Sequence, residues 1–109
     1  MSFHDQELAE RWKQMTLLEQ MSNIGSEVDR ALHWKTKNNG LFCQKAAARA
    51  LELLDWSLAS TQEFPSLKEI ARVREALADY FFGSNEYQSS ENSWRKYFLY
   101  FALAFRKNF

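Results

Sequence analysis

The 109-residue chain has one cysteine, one proline, three glycines and two histidines, and its 14 basic residues balance its 14 acidic ones. A lone Cys43 excludes an intrachain disulfide and a zinc site built from several cysteines. Placed between Phe42 and Gln44 just ahead of an alanine run, it reads as a small buried apolar group and not a nucleophile. Zero net charge removes the basic field expected of a general nucleic-acid binder. No apolar run approaches the ~18 residues of a membrane span. The first residues, Met1 to Asp5, lack the basic-then-apolar order of a signal peptide. The expectation is a cytoplasmic chain with no membrane partner, and with no cofactor or metal, since preferred ligands are too few.

Apolar residues make up 46% of the chain and aromatics 16%, ample for one core without staples. Few breakers and much Ala, Leu, Glu, Lys and Arg indicate helix. Residues 5–14 form a short helical arm in which Leu8 and Trp12 are four apart. Thr16-Leu17-Leu18-Glu19 matches a capping box and opens a helix to about residue 37. Its stripe is Leu17, Met21, Ile24, Val28 and Ala31. Asn38-Asn39-Gly40 ends it, and a second helix covers about 41–60. Ser66-Leu67-Lys68-Glu69 follows Pro65 as a second capping box, starting a helix over 66–82. After the polar loop 83–90, Ser90 begins a helix to 107 whose stripe is Trp94, Phe98, Phe101 and Phe105.

These signals predict one all-α domain over residues 1–109, an up-down four-helix bundle with a short N-terminal arm. The competing arrangement completes its core by dimerising. The expected core contains Met21, Ile24, Val28, Leu51, Leu54, Ile70, Leu77, Phe81, Phe98, Phe101 and Phe105. Ser22, Gly25, Ser26 and Asp29 give the first long helix a face with few bulky groups. A mid-helix glycine costs about 1 kcal/mol against alanine, so a neighbour packs close there, either another helix or a second subunit.

Asp29 and His33 are four apart and read as a surface pair, since a metal site needs further ligands. Glu69, Arg72, Arg74, Glu75 and Asp79 read as a solvated face with short-range ion pairs, a polar pocket being the alternative. The aromatics from Tyr80 to Phe109 exceed what one helical stripe can bury. Tyr100 falls off the Trp94–Phe105 face. Exposed aromatic surface of this kind fits a subunit contact better than a base-stacking surface.

The segment Val73-Arg74-Glu75-Ala76-Leu77-Ala78-Asp79-Tyr80-Phe81 resembles a degenerate form of the motif of the HEPN superfamily. These are small, often dimeric helical bundles, many encoded beside minimal nucleotidyltransferases in toxin–antitoxin pairs. Their motif is Arg, four to six residues, then His, followed closely by an aromatic; in active ribonucleases the Arg and His meet across a dimer. Here Arg74 fills the Arg slot, Asp79 stands in the His slot, and Tyr80 follows. No histidine follows His33, so the imidazole of that chemistry is missing. The chain is also similar in style to small bacterial bundle proteins encoded within ribosomal RNA intervening sequences.

The resemblance implies a homodimer, a nucleotidyltransferase-type protein partner, and Arg74, Asp79 and Tyr80 as candidate ligand-binding residues. The leading expectation is therefore a non-enzymatic, HEPN-like interaction module that binds a partner or a nucleotide. One alternative is a ribonuclease-like or nucleotide-processing enzyme using Arg74 and Asp79, with Glu75 as a further candidate. The other is an RNA-contacting regulator, which requires Arg72, Arg74, Arg95, Lys96, Arg106 and Lys107 to converge on one face.

Overall fold

A computed structural model describes residues 3–107, the first three by backbone alone. Met1, Ser2, the His4 side chain and Phe109 lie outside the described residues. Five helices follow one another: α1 (Phe3–Gln14), α2 (Leu17–Thr36), α3 (Gly40–Ser60), α4 (Phe64–Phe82) and α5 (Glu91–Lys107). No strand occurs among the described residues. The ends fall within two residues of those expected, because caps and breakers set most of them.

Thr16 Oγ1 accepts from the Glu19 N–H at 3.1 Å and starts α2. Asn38 takes the left-handed conformation at φ 58° after it, and the Asn39 side chain caps α3 by accepting from the Phe42 N–H at 3.0 Å. The second capping box is a correction. α4 begins at Phe64, ahead of Ser66, with Glu63 as an N-cap that makes no side-chain bond. Pro65 suits the first turn, where its missing N–H costs nothing, so the helix starts before Ser66 can cap it. α5 starts on a reciprocal pair that the sequence reading missed. Ser90 Oγ accepts from the Ser93 N–H at 3.0 Å, and Ser93 Oγ from the Ser90 N–H at 2.9 Å.

α2 lies between α3 and α5 and runs opposite to both. Trp34 near its end meets Phe42 at the start of α3, with ring centroids 4.9 Å apart, while Gln20 near its start bonds to Ser57 near the end of α3. On the other side Gly25 touches Phe98, and Asp29, one turn on, pairs with Arg95, one turn back. α4 packs against α3. α5 reaches α4 through Tyr97, whose hydroxyl donates to Glu69 Oε1 at 2.7 Å.

Met21, Ile24, Val28, Leu54, Ile70, Leu77 and Phe98 are buried as expected. Leu51, Phe81 and Phe101 pack half-buried at the edge of the core, and Phe105 is half-buried also. Trp94, on the expected stripe of α5, is buried too, and Leu32, Leu53 and Val73 join the core.

α1 is pinned rather than free. Trp12 is buried, and its indole N–H donates to Ser57 Oγ at 3.0 Å. The Ser57 hydroxyl donates to Gln20 Oε1 at 2.9 Å, and Gln20 Nε2 donates back to the Trp12 carbonyl at 2.8 Å. Buried polar groups are costly unless bonded, and this ring satisfies three of them while tying α1, α2 and α3 together.

The close neighbour anticipated at Gly25 is α5 of the same chain. A β-carbon at Gly25 would lie 2.9 Å from Phe98 Cβ, an atom fixed to the backbone, so α5 itself would have to move. Gly40, by contrast, faces open space. Gly25→Ala is expected to lose about 1 kcal/mol or more in urea unfolding, the strain of overpacking exceeding the gain in helix propensity. Gly40→Ala is expected to be neutral or to gain about 0.4–1 kcal/mol by restricting the unfolded chain.

Candidate functional site

The motif-like segment of α4 sends its polar side chains to three different neighbours. Arg74 forms a two-pronged pair with Asp55 of α3, Nη2 to Oδ2 being 3.2 Å. Asp79 holds the loop that follows its own helix. Its Oδ1 accepts from the Glu86 N–H at 2.9 Å and its Oδ2 from the Tyr87 N–H at 3.0 Å. Its main-chain carbonyl accepts from the Gly83 and Asn85 N–H groups. Tyr80 carries the Lys35 ammonium of α2 4.1 Å from its ring centroid and meets the edge of Phe81. Arg74 and Asp79 are thus engaged separately, one with α3 and one with the loop.

Loop 83–90 is built by side chain–backbone bonds. Asn85 and Gln88 adopt left-handed conformations, at φ 59° and 54°. The Asn85 amide donates to the Ser89 carbonyl and accepts from the Ser89 N–H, both at 2.9 Å. The sequence reads here only as a polar loop; the density of Asn and Ser after Asp79 is the signal for this clasp.

Glu69 is the most heavily bonded carboxylate of the α4 cluster. Arg72 donates to it through Nη2 at 2.7 Å and through Nε at 3.3 Å, and Tyr97 donates from α5. The Arg72 bond first, then that of Tyr97, hold the Glu69 carboxyl below its ordinary range. Burial, with the Glu69 bond second, pushes the Tyr97 phenol well above its ordinary range. Elsewhere, Asp29 turns to Arg95 rather than to His33, and His33 lies edge-on to Trp34. Cys43 is buried, and burial pushes its thiol up.

Of the six cations of the RNA-contacting alternative, Arg72 pairs with Glu69, Arg74 with Asp55, and Arg95 with Asp29 and Glu91. Lys96, Arg106 and Lys107, all on α5, have no ion-pair partner among the described residues. Those residues also hold no group of three or more His, Cys, Asp or Glu able to take a metal, and no helix among them is long and apolar enough to cross a membrane.

A concavity of about 350 Å³ lies between α2 and α5. Ser22, Gly25, Ser26 and Asp29 form its α2 wall, and Trp94, Arg95, Phe98, Leu99 and Ala102 its α5 wall. It exists because Gly25 seats Phe98 so closely while the small neighbours of Gly25 leave the flank open. Beside it α5 exposes an apolar ridge: Leu99 is 54% exposed, Tyr100 67% and Leu103 47%. Trp94 Nε1 is the one buried side-chain polar atom without a partner among the described residues. The small-residue face and the displaced Tyr100 were both readable in the sequence; their adjacency was not. The chain matches no family model, no curated protein and no solved structure.

Two outcomes follow. Asp79→Ala leaves the Glu86 and Tyr87 amides without their acceptor, so their hydrogen exchange should quicken and stability fall by about 1–2 kcal/mol. The depressed carboxyl of Glu69 contributes stability above its unfolded value near 4.5, and that contribution disappears as pH falls through its lower folded value. Urea unfolding from about pH 6 to about pH 3, across the ordinary carboxylate range, should therefore show a shallower acid loss in Tyr97→Phe than in the wild type.

Proposed function

We propose that the chain is a non-enzymatic interaction module that docks a protein partner through the α5 face. In this reading α2 to α5 form an up-down four-helix bundle, α1 is a pinned arm, and the fold is HEPN-like. The opposed directions of α2 with α3 and of α2 with α5 support the bundle. The observation that carries the function is the ridge of Leu99, Tyr100 and Leu103, exposed together beside the groove. Contiguous exposed apolar surface on a small domain marks an interaction site.

The binding-without-turnover half of the reading rests on the α4 segment. The Arg74 guanidinium, which would grip phosphate in a HEPN enzyme, is engaged by Asp55, and Asp79 is engaged by loop amides. Each would have to leave its partner to serve a substrate. Proton transfer near neutral pH would also need a group with a suitable pKa, which an ordinary carboxylate is not.

The reading gives two expected results. Pure protein incubated with total RNA leaves the RNA intact; cleavage that disappears in Arg74→Ala would refute the reading and restore the enzyme alternative. Leu99→Asp and Leu103→Asp should each change unfolding stability by no more than about 0.5 kcal/mol, as surface positions do. A loss of several kcal/mol would place the ridge in the core instead.

A further inference from the structure

We infer that the α2–α5 groove and its ridge receive an amphipathic helix of another protein, acidic along one edge. The inference rests on the interaction-module reading and names the chemistry of the partner.

The shape comes first. A two-walled groove of about 350 Å³ with Phe98 and the small residues Ser22, Gly25 and Ser26 in its lining suits apolar anchors from one face of a helix. Such anchors recur at i, i+3 or i+4, and i+7. The ridge of Leu99 and Leu103 widens the apolar contact along one wall.

Charge then selects the partner. The chain is neutral as a whole, but α5 carries Arg95, Lys96, Arg106 and Lys107 against Glu91 alone. Asp29 and Glu91 are both spent on Arg95. Lys96, Leu99 or Tyr100, Leu103 and Lys107 recur at three- and four-residue spacing, so unpaired cations bracket the ridge on one side of the helix. Carboxylates along one edge of a docked helix would meet them. The Trp94 ring contributes to the groove lining.

Two other occupants fit this face less well. A second copy placed with α5 against α5 would set Lys96, Arg106 and Lys107 near their own images. A flat bilayer, for its part, does not fill a concave groove.

The test uses the full chain and two labelled helical peptides, each with leucines at i, i+4 and i+7, one with glutamates along an edge and the other with lysines there. Fluorescence anisotropy should show the acidic peptide binding at least about tenfold more tightly than the basic one, with affinity falling as salt rises. Lys96→Glu combined with Lys107→Glu should reverse the preference, and Leu99→Asp combined with Leu103→Asp should abolish binding of both. Absence of acidic-peptide binding, equal binding of the two peptides, or indifference to the charge reversal would overturn the inference. Light scattering that shows a dimer lost in Leu99→Asp/Leu103→Asp would overturn it in favour of a second copy, leaving the interaction reading standing. Sedimentation with phosphatidylserine vesicles that depends on the same two leucines would overturn it in favour of a lipid surface. RNA cleavage, in contrast, would strike the underlying reading itself.

Discussion

The absence of a β-carbon at Gly25 decides where α5 lies. Phe98 Cβ occupies the space that a side chain there would need, so the two helix backbones approach more closely than ordinary side chains permit. A mid-helix glycine costs about 1 kcal/mol in propensity, and the seat it provides offsets that cost by burying Phe98 and Trp94. From this contact the remaining α2–α5 features follow. Asp29 comes into line with Arg95, the serines on either side leave an open groove, and Leu99, Tyr100 and Leu103 are turned outward because the opposite face of α5 is committed to the core.

Two other devices fix the helices around that seat. At one end the Trp12–Ser57–Gln20 ring joins α1, α2 and α3 through hydrogen bonds buried from water, where each is stronger and more costly to break than at the surface. At the other, the Asp79 carboxylate gathers the loop amides and the Ser90–Ser93 pair starts α5. Tyr97 then crosses from α5 to Glu69 of α4. Residues that resemble a ligand-binding motif are in this way employed in holding the loop and the helix pair in register. α5 keeps an outward face on which Leu99, Tyr100 and Leu103 are exposed, and the proposed docking surface is built there.

Local order was legible in the residues. The stripe from Met21 to Val28 identified α2, Thr16 identified its start, and Gly25 signalled a close neighbour before that neighbour was known. The second capping box failed because Pro65 favours an earlier start than Ser66. Asp29 with His33 failed because a four-residue spacing says which side chains are adjacent on one helix, not which cation a second helix will bring. The burial of Trp12 and the partner of Arg74 depend likewise on how helices are placed relative to one another, which periodicity does not encode. The candidate site was legible only in pieces: a small-residue face on α2 and a surplus of aromatics on α5.

Groove, ridge and charge pattern all derive from the α2–α5 seat. Nuclear Overhauser spectroscopy on the isotope-labelled chain reads that seat directly. Strong cross-peaks from the Gly25 α-protons to the β- and ring protons of Phe98, with the Gly25 signals displaced by the adjacent ring, are the predicted result. Gly25 α-protons that show no contact with Phe98, or that contact a different helix, would contradict it.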